Sequence, residues 1–162
     1  MNRAMARRPE ARGALQRADD LETRTEYLAF LLGSEAYAVQ IGSIAEILKP
    51  LPITEVPRAR PSVVGVMSVR GRLVTVLDLK RRFRVADTTE IERTSRILLV
   101  DAPDETIGLL VDEVLQVYRL TEAEVEPPTA LGGEQLAYVA GVGRPSDGSV
   151  LLLLNLQPLF AE

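Results

Sequence analysis

The residue types behind most nucleophilic and zinc chemistry are missing: the 162-residue chain contains no Cys and no His. A thiol nucleophile, a Ser-His-Asp relay, a disulfide and a His- or Cys-ligated zinc are thereby excluded. The remaining candidates are Asp, Glu, Lys, Ser, Thr and Tyr, and a paired-carboxylate mechanism needs two carboxyl groups held apart across a cleft. The spacing supplies no such pair. Asp112 and Glu113 are adjacent, so on a strand or turn their side chains diverge, and capping suits them better than acid–base work. Neither Gly-x-x-x-x-Gly-Lys-Ser/Thr nor a Gly-x-Gly-x-x-Gly between strand and helix occurs, so no nucleotide site is indicated. No catalytic residue, cofactor or metal is expected.

Asp78 shows how the choice between catalyst and cap is made. It lies in Gly65–Phe83, GVMSVRGRLVTVLDLKRRF, which returns in altered form as Gly141–Phe160, GVGRPSDGSVLLLLNLQPLF. Each copy runs from Gly-Val to a second glycine (Gly71, Gly148), an apolar run, Asp78-Leu79 or Asn155-Leu156, and a Phe five residues past the Asp or Asn. The second glycine permits the positive φ of a tight hairpin turn, and Leu73–Leu77 or Val150–Leu154 then forms a buried strand. Short helices are expected over Leu79–Phe83 and Leu156–Phe160. An Asn would be useless in place of a catalytic carboxylate, whereas an N-cap accepts either residue.

Two charged residues stand out as binding candidates. Arg70 sits in Ser68-Val69-Arg70-Gly71, just before the hairpin glycine, where a bidentate guanidinium would engage a carboxylate on a partner or within the fold. Glu46, ending Gly42-Ser-Ile-Ala-Glu46, is the corresponding lone acid; its Ser-x-x-Glu spacing also predicts a capped helical turn before a strand around Ile47-Leu48. Sequence leaves partner contact and internal pairing equally open for both. Lys80-Arg81-Arg82-Phe83-Arg84 is the one dense basic run; as a helix it would bury Leu79 and Phe83 and leave its cations on a solvated face, and its copy, Gln157-Pro158-Leu159, is uncharged.

The elements that must position these residues are strands. Tyr27–Leu32 and Ala36–Ile41 flank the turn Gly33-Ser34-Glu35, and Arg96–Asp101 with Ile107–Val111 forms a second opening hairpin. Tyr37–Ile47 lies over Ile107–Val117 without a gap, apolar positions matching at 37/107, 39/109, 41/111, 44/114 and 47/117. Matching pieces recur in the same order, which implies an internal duplication with one half at about 27–83 and the other at about 96–160. Pro50, Pro52, Pro57 and Pro61 make a loop of the first half's middle, and Thr121–Gly133 is the long loop of the second. Many short strands separated by turn chemistry predict a mainly all-β fold of two small barrels with short helical turns.

Composition agrees with a globular domain: 46% hydrophobic and 26% charged residues, but only 4% aromatic. Formal charge −4 and a pI near 5.1 argue, with the scarce aromatics, against a nucleic-acid binder. Residues 1–24 carry six Arg diluted by Glu10, Asp19, Asp20 and Glu22, and are expected to be a solvated or frayed tail ahead of a domain at 25–162. No apolar run reaches the ~18–20 residues that span a bilayer, and the N-terminus lacks a secretory signal's apolar core. The expected compartment is the cytoplasm.

Taken together, Phe30…Tyr37…Ile44-Ala45-Glu46-Ile47…Pro57…Gly65-Val66…Val69-Arg70-Gly71…Val76-Leu77-Asp78-Leu79, then Gly108…Val111-Asp112-Glu113-Val114…Pro127-Pro128…Gly141, resembles the CheW-like family of bacterial chemotaxis coupling proteins. The likeness runs from about Tyr27 to Phe160. It implies two intertwined, five-stranded SH3-like β-barrels with a shared core and a hydrophobic groove between them. It also implies a non-enzymatic adaptor linking the cytoplasmic tip of a methyl-accepting chemoreceptor to the regulatory domain of a CheA-type histidine kinase, with the membrane reached only through the receptors. By motif position the receptor-contacting turn falls on Ile44 and Glu46, and the family's Asn-Leu-Arg-Gly element falls on Ser68–Gly71, keeping Arg70 and Gly71. The chain departs from the pattern with Ser68 for Asn and Thr75 where Pro is common. The alternatives are an adaptor that binds receptor but not kinase and, from another class, a small β-barrel nucleic-acid binder using the Arg-rich tail and the Lys80–Arg84 run.

Overall fold

The structure is a computed structural model that describes residues 23–130 and 137–160. The expected N-terminal tail lies, apart from Thr23 and Arg24, outside the described residues, as do Gly132 and Gly133 of the long loop. The strands are β1 (Thr25–Leu32), β2 (Glu35–Gln40), β3 (Ile44–Leu48), β4 (Val63–Val69), β5 (Arg72–Asp78), β6 (Arg96–Asp101), β7 (Thr106–Val111), β8 (Glu113–Leu120), β9 (Val125–Glu126), β10 (Val139–Gly143) and β11 (Leu151–Leu154). Short helices α1 (Leu79–Arg82) and α2 (Gln157–Phe160) follow β5 and β11. The mainly-β expectation holds.

The strands form a six-stranded sheet, β8-β1-β2-β11-β10-β9, and a five-stranded sheet, β3-β6-β7-β5-β4. Each sheet takes its opening hairpin from the other half of the sequence. The β1–β2 hairpin sits between β8 and β11, and the β6–β7 hairpin between β3 and β5. Each hairpin is joined on one side by an antiparallel pair, β1 with β8 and β6 with β3, and on the other by a parallel pair, Tyr37 opposite Leu152 and Ile107 opposite Thr75. Registers repeat as well: Phe30↔Tyr37 recurs as Val100↔Ile107, and Ile47↔Leu98 as Val117↔Leu28. Even the irregularities correspond, one between Ile44 and Glu46 in β3 and one between Leu28 and Phe30 where β1 meets β8. The two halves therefore fold alike and interlock.

Interlocking explains why several strands read as unbroken apolar runs, because they are buried on both faces. On β6, Ile97 and Leu99 point into a cluster with Met67, Val69, Val74, Val76 and Leu110, all from the five-stranded sheet. Leu98 and Val100 point the other way, into a larger core that draws side chains from both sheets. Leu151 and Leu153 on β11 likewise face their own sheet's cluster, while Leu152 and Leu154 face the common core. Each sheet thus wraps a small core and shares a big one.

At the centre of the shared core four of the chain's seven Phe and Tyr residues form a column. Phe30 stacks on Tyr37 at 6.4 Å between centroids, Tyr37 on Phe83 at 5.6 Å, and Phe83 tilts against Tyr138 at 5.1 Å. The Arg82 guanidinium closes it, 4.7 Å from the Tyr138 centroid. Such contacts add to the large area that buried rings remove from water.

Local chemistry sets the turns. Gly71 and Gly148 adopt φ of +80° and +87° at the tips of the β4–β5 and β10–β11 hairpins. Gly65 answers a different need: a Cβ there would lie 2.2 Å from the Thr54 carbonyl oxygen, where that segment bridges to Val66. Gly141 repeats this more loosely, its would-be Cβ 3.1 Å from the Glu126 carbonyl oxygen. One local expectation fails. The helical turn before β3 is a 3-10 turn at Ile41–Ser43 with no side-chain cap, and Glu46 lies in the strand. A capping box of this kind forms instead at Thr121–Glu124, where the carboxylate accepts from the Thr121 N–H at 2.9 Å and the hydroxyl at 3.0 Å.

Burial, reinforced by the Glu35 carboxylate, pushes the Tyr37 phenol from 10.0 up to about 12, while its hydroxyl donates to Glu35 at 3.2 Å. A raised folded-state value means that the neutral phenol contributes stability in full below pH ~10 and that this is lost as pH climbs toward 12. Denaturant unfolding followed from pH 8 to 12 is expected to show a steeper alkaline loss of stability in the native chain than in Tyr37→Phe.

Candidate functional site

Asp78 is buried at the end of β5 and is used entirely for structure. Its Oδ1 accepts the Lys80 N–H at 2.9 Å as the N-cap of α1, and its Oδ2 accepts the Thr89 hydroxyl at 2.7 Å. Asn155 does the same for α2, its Oδ1 accepting the Gln157 N–H at 3.2 Å. Asp112 is also occupied, accepting the Gly33 N–H at 2.7 Å and the Lys80 ammonium at 2.9 Å, which ties the β1–β2 turn and α1 to the corner between β7 and β8. The hydrogen bond that Lys80 donates to Asp112 holds the lysine above its usual value.

The basic run after Asp78 departs from the expected solvated face. Lys80 is paired with Asp112, Arg81 donates to Thr89 at 3.3 Å and to the Pro61 carbonyl, and Arg82 lies against Tyr138 and reaches the Pro158 carbonyl at 3.5 Å. Its cations staple α1 to its surroundings. The sequence hid this because every partner is distant along the chain or belongs to the backbone.

Glu46 and Arg70 are brought together. Glu46 lies on β3, one edge of the five-stranded sheet, and Arg70 occupies the turn of the β4–β5 hairpin at the other edge, with φ +49° just before Gly71. The guanidinium grips the carboxylate with two hydrogen bonds, Nη1 to Oε1 at 3.0 Å and Nη2 to Oε2. The pair therefore links the two edges of a sheet curled around its own core. Both side chains stay accessible, 69% for Arg70 and 33% for Glu46. The Arg70 hydrogen bond holds the Glu46 carboxyl below the usual carboxylate range and Arg70 above its own, so both are charged at neutral pH. A pair this exposed is screened and adds little to stability; it fixes where the charges stand.

Ile44 falls elsewhere. It pairs with Val100, packs partly against the shared core, and lines a cavity of about 200 Å³ with Ser43, Ala45, Asp101, Leu156 and Phe160. Neighbouring cavities of about 230 and 270 Å³ share Gln157 with it and reach Gln40 on one side and Ala102 on the other. Together they make a shallow groove where β3 and the β6–β7 turn of one sheet face α2 of the other half.

The six-stranded sheet has a counterpart to the ion pair that sequence reading passed over. Asp147 precedes Gly148 as Arg70 precedes Gly71, and it accepts the hydroxyl of Tyr118 on edge strand β8 at 3.1 Å. Its second oxygen accepts the Ser149 N–H at 2.8 Å. The repeat held the signal, since aligning the hairpin glycines puts Asp147 at Arg70's place.

The chain thus forms a mainly-β scaffold of two interlocked sheets that carries an exposed ion pair and a groove. Residues 26–162 match the CheW-like domain family, and the chain belongs to that family. It is similar to chemotaxis protein CheW of Helicobacter pylori, 28% identical over 148 residues that cover 90% of this chain and 88% of that one. It is 31% identical to chemotaxis protein CheW of Thermotoga maritima over 140 residues, 85% and 88% of the two chains. Protein PilI of Pseudomonas aeruginosa is 31% identical over 104 residues, 62% and 58%. The fold matches the crystal structure of the scaffolding protein TtCheW from Thermoanaerobacter tengcongensis with a TM-score of 0.78 and 28% identity, covering 86% of this chain and 94% of that one.

Replacing Asp78 separates cap from catalyst. Asp78→Ala is expected to cost about 1–2 kcal/mol in denaturant unfolding, whereas Asp78→Asn, which keeps the cap oxygen for the Lys80 N–H as Asn155 does but loses the acceptor for the Thr89 hydroxyl, is expected to cost less.

Proposed function

We propose that this chain is a non-enzymatic adaptor of bacterial chemosensory signalling, coupling a chemoreceptor's cytoplasmic tip to the regulatory domain of a CheA-type histidine kinase and altering the kinase's activity. The observation that carries the reading is the family match over residues 26–162, supported by relatives named as chemotaxis and scaffolding proteins. The adaptor works in the cytoplasm and meets the membrane only through receptors; among the described residues no helix is long and apolar enough to cross one. Its working unit is residues 25–162, with halves of common origin at about 27–83 and 96–160.

The two surfaces on the fold suit two partners. An amphipathic receptor helix lays its apolar face in the groove beside Ile44, Leu156 and Phe160, the helix-in-groove mode of recognition. Glu46, Arg70 and Gly71 form the polar contact at the hairpin tip, where the pre-formed pair offers fixed charges without further ordering of either side chain. An adaptor that binds receptor but not kinase is the nearest alternative. The nucleic-acid reading loses one of its two supports, because Lys80, Arg81 and Arg82 are engaged within the fold.

The test is a three-way titration of the chain against a receptor cytoplasmic fragment and a CheA-type kinase from the same genome, read by binding and by kinase autophosphorylation. Binding to both with altered autophosphorylation is expected; binding to receptor alone selects the narrower adaptor, and binding to neither overturns the proposal. Glu46→Ala and Arg70→Ala are expected to weaken coupling on the order of tenfold while leaving thermal unfolding nearly unchanged. A large drop in melting temperature would assign the pair to internal structure instead.

A further inference from the structure

The groove beside Ile44 has an equivalent place on the other side of the duplicated fold, and there the same positions are bonded shut. The repeat sets Ile44 over Val114 and Gly42 over Asp112, and the hairpin registers set Gly33 over Pro103. The helix caps set Lys80 over Gln157, since Asp78 accepts the Lys80 N–H and Asn155 the Gln157 N–H. Beside Ile44, Gly42 and Gln157 line one cavity and Pro103 borders the next. On the Val114 side the corresponding three residues hold one another, Asp112 accepting the Lys80 ammonium at 2.9 Å and the Gly33 N–H at 2.7 Å.

What lies beneath differs to match. Leu156 and Phe160 are partly buried and line the cavity, whereas their equivalents Leu79 and Phe83 are 0% and 9% exposed, with Phe83 stacked on Tyr37. Every part of the clasp is missing at the open groove: glycine has no carboxylate, glutamine carries no charge and Pro103 has no N–H to donate. The clasp itself is a charge-assisted hydrogen bond between partly buried groups, which solvent screens less than a surface pair.

We propose that Gly42, Pro103 and Gln157 keep the Ile44 groove open to a receptor helix, while the Lys80–Asp112–Gly33 clasp seals its equivalent, so that each chain takes one helix. The helix rests on the coupling role proposed above; the clasp does not.

Moving the clasp tests this. Gly42→Asp with Gln157→Lys rebuilds the ion pair at the open groove, where a Cβ on Gly42 meets nothing within 4 Å. In calorimetric titration with a receptor cytoplasmic fragment from the same genome, the native chain is expected to show one site. The double variant is expected to bind about tenfold or more weakly, a loss greater than the product of the two single-variant losses because the clasp needs both partners. As the chain has no Cys, Ile44→Cys and Val114→Cys report the two places by their rates of maleimide labelling with no partner present. Gly42→Asp with Gln157→Lys is expected to slow labelling at position 44 severalfold, and Asp112→Gly with Lys80→Gln to speed it at position 114, in chains shown by circular dichroism to be folded. Should the second pair fail to fold, the rebuilt clasp at position 44 decides alone. Unchanged labelling at position 44, native affinity in the folded Gly42→Asp, Gln157→Lys chain, or two sites on the native chain would overturn the proposal. A native chain that binds no receptor fragment, while labelling shifts as expected, would support the clasp and overturn the coupling role.

Discussion

The structure depends on one exchange: each half of the chain gives its opening hairpin to the other half's sheet. The antiparallel pairs β1–β8 and β3–β6 and the parallel pairs β2–β11 and β5–β7 are the joints, and the parallel ones carry Tyr37 and Leu77 into a core that neither half lines alone. Phe83 ends the first half's helix as its C-cap but packs against Tyr138 of the second half. Truncating a buried aromatic typically costs ~3–5 kcal/mol, whereas the exposed Arg70–Glu46 pair is screened by solvent. Stability therefore comes from the shared core rather than from the surface pair.

That division of labour suits an adaptor. A scaffold must hold its surfaces in fixed relation, and here the hairpin tip with Arg70 and the groove beside Ile44 both rest on the interlocked sheets. Asp112 reinforces the joint by accepting from Gly33 in the first half's hairpin turn and from Lys80 on α1. A helix bound in the groove would touch β3 and α2 together, and so both halves of the chain at once.

Much of this was legible in the sequence where local chemistry dictates the outcome. Gly71 and Gly148 announced their turns because few other residues accept their φ, and the Asp78/Asn155 interchange announced a cap. The runs at Arg96–Asp101 and Leu151–Leu154 announced strands, and the matched spacings announced two like halves. The exchange itself was not legible from periodicity, since a strand buried on both faces is apolar throughout and does not name its neighbours; it entered only through the family likeness. The Arg70–Glu46 contact was left open because the two residues meet only when the sheet curls edge to edge. Ser43–Glu46 misled because a capping-box spacing does not by itself prevent the chain from pairing as a strand, as Ile44–Leu48 does with β6. The basic run misled for the same kind of reason, its partners Asp112, Thr89 and Pro61 being set by tertiary packing.

The most direct test of the hairpin exchange is to produce the chain as two pieces, cut between Glu90 and Ile91 in the segment that joins the halves. Cooperative unfolding of each piece alone and of the equimolar mixture would be followed by circular dichroism. The account expects no cooperative transition from either piece, because each lacks the hairpin that completes its sheet, and a single cooperative transition from the mixture. A piece that folds and unfolds cooperatively as a monomer would contradict it, since that half would then be closing its sheet with its own strands.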